Sequence, residues 1–196
     1  MTAFPDVPPG VDPTRPSPVR LYDYFLGGTH NYPVDREAAE RLKATVPDIV
    51  DAMLANRGFH GRAARWIARQ GVRQFIDIGA GLPTRNNTHE AVRRVLPEER
   101  VVYVDHDPMV AAYSGPLLAA DGTTTLVTAD WRDPGAVLGD PGLRRLIDLA
   151  DGLELVPPYT GADGVMTYAG LWGAEDIEAA DTEGSRGIYC GVALRP

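Results

Sequence analysis

The chain has 196 residues, which suits one domain, and 19 basic against 27 acidic side chains give it a net charge of −8. This excess of acids argues against a nucleic-acid partner, which requires clustered Lys and Arg. No apolar run approaches the roughly 18–20 residues of a membrane span, and the first residues lack the pattern of a secretory signal, so a cytoplasmic protein is expected. Cys190 is the single cysteine, which excludes an intrachain disulfide and a cysteine-based metal cluster.

The N-terminal third divides into an arm and a helical cap. Residues 1–18 hold six of the 17 prolines and predict an extended arm. The aromatic-rich segment 21–32 surrounds a glycine pair, which predicts a shaped loop after a short helical turn. Helices are predicted over 34–45 and 48–69, so that residues 19–70 form the cap. The second helix carries apolar residues at roughly helical spacing, which include Met53, Phe59, Trp66 and Ile67.

The middle of the chain, residues 71–150, alternates between short apolar strands and helices. Strands are predicted over 73–78, 100–105 and 124–129, and helices over 88–96, 108–119 and 141–149. This alternation is typical of βαβ units, so the expected fold class is α/β, with a parallel sheet in the strand order 3-2-1. Residues 19–196 are then one domain, which ends in late strands at 152–156, 165–169 and 187–194 and an acidic loop between them.

A glycine-rich turn follows the first strand of this region. Asp77 is followed by Gly79, Ala80 and Gly81, and glycines at this point let the backbone turn sharply and approach a ligand. The third glycine of the dinucleotide fingerprint is absent, which makes NAD or FAD less favoured.

Two further acids stand at the ends of the next strands. Asp105 lies 24 residues after Gly81 and Asp130 follows 25 residues later. The carboxyl ends of parallel strands share one edge of the sheet, where such folds bind ligands, and a carboxylate at Asp105 is placed to accept the hydroxyls of a ribose. The alternative is that these aspartates only cap helices or turns.

These residues belong to a longer set of motifs that resembles a known family. The segments 17–40, 55–68, 71–90, 101–108 and 128–134 carry the patterns YDYxLGGxxN and GLPTxxNxHE. They resemble the actinobacterial S-adenosylmethionine-dependent methyltransferases that were formerly catalogued as a family of unknown function. The resemblance covers residues 17–134, about 60% of the chain.

The resemblance implies a Rossmann-like methyltransferase sheet that binds S-adenosylmethionine and transfers its methyl group to an acceptor that the sequence does not identify. It implies that Asp77 and the glycine turn hold the methionine end and that Asp105 holds the ribose. It also implies that Asp130 and Trp131 lie around the adenine, and His106 is a further cofactor-binding candidate. The candidate lid or acceptor contacts are Tyr22, Gly27, Gly28, Asn31 and His89.

The pattern departs from the family after residue 149. The segment that would supply the fourth and fifth strands is missing, and the sequence passes directly to the late strand at 152–156. The expected sheet is therefore truncated and mostly parallel, with an antiparallel last strand. The alternative function is a catalytically silent derivative that binds the cofactor or a partner without turnover.

No catalytic residue and no metal site follow from the sequence. The four histidines lie at positions 30, 60, 89 and 106 without the paired spacing of metal ligands. Methyl transfer from a sulfonium requires neither a metal nor a catalytic triad, because the enzyme mainly aligns the donor and the acceptor and excludes water.

Overall fold

A computed structural model describes residues 7–118 and 122–147 of the chain. Its elements in chain order are the helices α1 (Pro18–Phe25), α2 (Pro33–Thr45) and α3 (Ile49–Arg69), then β1 (Gln74–Ile78), α4 (Thr88–Arg93), β2 (Arg100–Asp105), α5 (Pro108–Leu118), β3 (Thr124–Thr128), α6 (Pro134–Gly139) and α7 (Pro141–Leu146). In the described part of the chain, no helix combines the length and the apolar character needed to cross a membrane.

The three described strands form one parallel sheet in the order β1-β2-β3. Its register pairs Asp77 with Tyr103 and Asp105 with Thr128. The predicted α/β class and the strand order 3-2-1 are therefore confirmed. The carboxyl ends of all three strands meet at one edge, and the loops that follow them converge there.

Helices cover both faces of this sheet, as the apolar strands require. Phe75 and Tyr103 point to one face and pack against α3 and α4 through Ile67 and Val92. The next residues along the strands point to the other face, where Val102 and its neighbours pack against α6 and α7. Alternate side chains of each strand thus enter two separate apolar layers.

Two of the predicted helices are shorter in the structure, and one helix was missed. The helix predicted over 88–96 ends at Arg93, close to Pro97, which disfavours helical geometry in the residue before it. The helix predicted over 141–149 ends at Leu146. The six-residue helix α6 was not predicted, although Asp133 accepts from the backbone N–H of Ala136 at 3.0 Å and caps it.

The apolar face of α3 also differs in part from the sequence interpretation. Met53 and Ile67 are buried as the helical spacing predicts, but Phe59 and Trp66 are 49% and 60% exposed. The predicted late strands at 152–156, 165–169 and 187–194 lie outside the described residues.

Candidate functional site

The turn after β1 brings the backbone close to the end of β2. Gly79 and Gly81 have φ of 71° and 68°, a left-handed conformation that favours glycine. The N–H groups of Gly79 and Ala80 both donate to the carbonyl of Val104, at 2.8 and 3.3 Å. The two glycines therefore allow the chain to leave β1 sideways, across the end of the neighbouring strand, in a segment (79–84) that we call the glycine loop.

Asp105 ends β2 and lies directly beneath this loop. Its Oδ2 accepts from the N–H of Gly81 at 2.9 Å and its Oδ1 accepts from the N–H of Asp107 at 2.9 Å. The residue is only 9% exposed. A carboxylate offers about four acceptor positions, so these two bonds orient Asp105 and leave capacity for further donors.

Asp77 points to the face of the sheet that α3 and α4 cover. Its Oδ2 accepts a short hydrogen bond from the Thr88 hydroxyl, whose oxygen lies 2.8 Å from Nε2 of His60. Because the carboxylate only accepts, the single hydroxyl proton of Thr88 goes to Asp77, and Nε2 of His60 is the donor to Thr88. Burial lowers the pKa of His60 below its ordinary value, which favours the neutral ring.

His89 stands at the start of α4 and is held by Tyr103. The Tyr103 hydroxyl accepts from the backbone N–H of His89 at 2.9 Å and lies 2.6 Å from Nδ1 of the same ring. Burial raises the pKa of Tyr103, so its hydroxyl stays protonated. The orientation of the His89 ring is thus fixed by the core of the sheet.

The cap loop, residues 27–31, follows α1. Gly27 has a φ of 79°. Its N–H donates to the backbone carbonyl of Tyr24, and the N–H of Gly28 donates to the backbone carbonyl of Asp23, as is typical of a helix C-terminus. A Cβ on Gly28 would lie 2.0 Å from Oδ1 of Asp23, so only glycine fits there. The glycine pair therefore ends α1 and allows the loop to pack against the Asp23 carboxylate.

Asp23 organises this loop and was not singled out from the sequence. It is fully buried, and its Oδ2 accepts from the His30 N–H at 2.9 Å and from Nδ2 of Asn31 at 3.0 Å. Its Oδ1 accepts from the Thr84 hydroxyl at 2.7 Å. The cap loop and the glycine loop are thus joined through one carboxylate.

The other two predicted contacts of the cap make bonds inside it or to α3. Asn31 also donates from Nδ2 to the carbonyl of Gly28, and its Oδ1 accepts from Arg36 at 2.8 Å. The Tyr22 hydroxyl donates to Oδ1 of the buried Asn56 on α3 at 3.1 Å. Both side chains therefore have structural partners within the described chain.

A second connection that the sequence did not predict joins α3 to the segment after the glycine loop. Arg57 donates from Nε to the carbonyl of Arg85 and from Nη2 to Oδ1 of Asn87, each at 2.8 Å. A Cβ on Gly61 would lie 2.2 Å from Asn86, which explains a glycine inside this helix. The segment 85–87 is thus fixed against α3.

The end of β3 is more exposed. Asp130 accepts from the backbone N–H and from the guanidinium of Arg132, which lowers the pKa of Asp130 to about 2. His106 is exposed, and the N–H of Ala129 donates to the carbonyl of Asp105 at 3.1 Å, so the loops after β2 and β3 start side by side. Trp131 is half-buried at the same end.

The structure brings the predicted cofactor-binding residues to one edge of the sheet, but not into one cluster of direct contacts. Gly79, Ala80, Gly81 and Asp105 form a connected unit, whereas Asp77 points toward His60 and Asp130 pairs with Arg132. The roles of these residues toward a ligand stay predictions. Asp23 and Thr84 were not predicted as site residues, although both lie inside the motifs YDYxLGGxxN and GLPTxxNxHE, which could have indicated them.

A glycine turn after the first strand, and a buried carboxylate at the end of the second, define the class of Rossmann-like α/β proteins that bind a ligand at the carboxyl edge of the sheet. The profile of the S-adenosyl methyltransferase family matches residues 6–156. The chain belongs to this family, and membership implies S-adenosylmethionine as its cofactor.

Two solved structures are similar to this chain. A candidate methyltransferase from Thermobifida fusca is 43% identical with a TM-score of 0.69, over 75% of this chain and 55% of that one. A DUF574-family protein from Streptomyces avermitilis is 44% identical with a TM-score of 0.65, over 69% of this chain and 53% of that one. This chain thus spans about half the length of these relatives, and the family recognised from the sequence motifs is confirmed. No curated protein matches the chain.

Proposed function

We propose that this chain binds S-adenosylmethionine at the glycine loop and Asp105 and acts in methyl transfer to an acceptor that is still to be identified. The observation that carries the proposal is the bond from the Gly81 N–H to the Asp105 carboxylate. It orients a nearly buried carboxylate at the end of β2 and leaves acceptor positions for two hydroxyl donors.

The residues present suit this cofactor. Gly79 and Gly81 keep side chains away from the turn, and Asp105 supplies the acceptor that a ribose diol requires. The bound cofactor supplies a methyl group that its sulfonium has already activated. The chain's own residues therefore have to bind, orient and exclude water, and no proton transfer by a particular side chain is assigned.

We also propose that the cap forms a wall beside the site. The cap loop is joined to the glycine loop through Asp23 and Thr84, and the His30 ring packs on Tyr113 of α5 with centroids 4.4 Å apart. The loop thus contacts the segments after β1 and β2. These contacts support Gly28 and Asn31 as lid or acceptor contacts beside the cofactor edge.

Calorimetric titration with S-adenosylmethionine and S-adenosylhomocysteine tests the proposal. We expect both compounds to bind at one site per chain. We also expect mixtures of the protein, radiolabelled cofactor and cell extract to yield a labelled product. Binding without any labelled product would favour the catalytically silent derivative. Absence of binding by either compound would refute the proposal.

A further inference from the structure

We propose that Asp23 is a positioning residue that couples the cap loop to the glycine loop, so that a ligand held by one loop orders the other. This inference rests on the proposed function, because the ligand at the glycine loop is taken to be the cofactor. Asp23 itself is placed in the connection between the loops and not against the cofactor.

The two oxygens of Asp23 are divided between the two loops. Oδ2 accepts two bonds from the cap loop, from the His30 N–H and Asn31, and Oδ1 accepts from the Thr84 hydroxyl of the glycine loop. Thr84 follows Gly81 by three residues, so the side chain that reaches Asp23 belongs to the proposed cofactor turn.

Burial makes this connection energetically strong. Asp23 has no exposed surface, and a buried carboxylate is costly unless its oxygens accept hydrogen bonds. Loss of the Thr84 hydroxyl would remove the bond at Oδ1 and leave that oxygen poorly satisfied, which favours rearrangement of the cap loop. The conformations of the two loops are therefore linked, and the linkage is reciprocal.

The far end of the cap loop reaches a second side of the site. The His30 ring packs on Tyr113, and Tyr113 lies on α5, the helix that starts after Asp105 and Asp107. Residues 28–31 thus extend from the glycine loop to the segment after β2. Ordering of the cap loop would therefore position its residues across the site, whereas a hydrogen bond between two residues of the cap alone would not.

The experiment compares four proteins: the wild type, Thr84→Val, Thr84→Ser and Tyr24→Phe. Valine keeps the shape of Thr84 without its hydroxyl, and serine restores the hydroxyl. Tyr24→Phe is the matched control, because it removes a hydroxyl bond inside the cap, to Glu40 at 3.0 Å, and leaves Asp23 and Thr84 unchanged. S-adenosylhomocysteine is the probe, with its affinity measured by calorimetry and amide exchange of residues 27–31 measured with and without it.

In the wild type, we expect the probe to slow amide exchange in residues 27–31. Thr84→Val should weaken probe binding by about tenfold, the equivalent of about 1.4 kcal/mol, and should abolish the probe-dependent slowing at the cap loop. Thr84→Ser should restore both properties, and Tyr24→Phe should keep both. A purely structural role would change the melting temperature but leave the probe-dependent difference in exchange intact.

Three outcomes would overturn the inference. Wild-type protein that binds the probe without slowed exchange at 27–31 would refute it whether or not any variant folds. Thr84→Val that retains wild-type affinity and slowing would refute it while the proposed function stands. Wild-type protein that binds no probe would refute both.

Discussion

Replacement of Asp105 by alanine tests the candidate site most directly. The structure shows that this carboxylate accepts from the N–H groups of Gly81 and Asp107 and is only 9% exposed. The substitution therefore has two effects that must be measured separately. One is the loss of any bond to the cofactor, and the other is the loss of two backbone bonds that shape the glycine loop.

The expected magnitudes follow from these bonds. Two partly buried N–H groups without their charged acceptor cost about 2–4 kcal/mol of unfolding free energy. This cost corresponds to a fall of about 4–16 °C in melting temperature for a chain of this size. A single hydroxyl bond from the cofactor is worth about 1.5–3 kcal/mol, so affinity for S-adenosylhomocysteine should fall at least about 10- to 150-fold. The expected fall in melting temperature follows only from the structure, because the position of Asp105 in the sequence predicts only a loss of affinity for the cofactor.

Asp140→Ala is the matched control. Asp140 also accepts two backbone N–H bonds, from Gly142 and Leu143 at 2.7 and 3.2 Å, but it caps α7 away from the glycine loop. We expect it to lose about 0.5–2 kcal/mol of stability and to keep its affinity. Calorimetry and thermal unfolding measure both quantities. Equal affinities of Asp105→Ala and Asp140→Ala would refute the assignment of Asp105 to the cofactor.

Three further predictions follow from the same region. Gly81→Val should abolish cofactor binding in a titration while circular dichroism still shows a folded chain. Gly71→Val is the control, because Gly71 also has a positive φ, of 91°, with no atom within 4 Å of an added Cβ, and this variant should bind the cofactor normally. Because burial lowers the pKa of His60, the free energy of unfolding should fall as pH drops from 7 to 5, through the unfolded-state pKa of about 6.5. In urea unfolding, His60→Gln should show a weaker dependence of this free energy on pH than the wild type, and an equal dependence would contradict the prediction. Gly28→Ala should lower the melting temperature more than Gly27→Ala, because only the former places a Cβ 2.0 Å from Asp23, and the reverse order would argue against this packing.

The strands could be predicted because their signals are local. Runs such as 100–105 are apolar, are rich in β-branched residues and are bounded by turn residues, and β2 has the predicted bounds. The helix α6 was missed because a six-residue helix carries little periodicity. Phe59 and Trp66 were assigned to the apolar face of α3, but helical spacing alone does not show how wide a face its neighbours cover.

The sequence by itself determined the α/β class, the glycine turn after β1 and the acid at the end of β2, since each depends on residue types at short, fixed spacings. Only the tertiary structure decided which donors bond to the carboxylate oxygens of these acids. Asp77 pairs with Thr88, Asp105 with the N–H of Gly81, and Asp23 with Thr84, 61 residues away. The physical reason is that hydrogen bonds depend on positions within a few tenths of an ångström, which packing of helices against the sheet determines and local spacing does not.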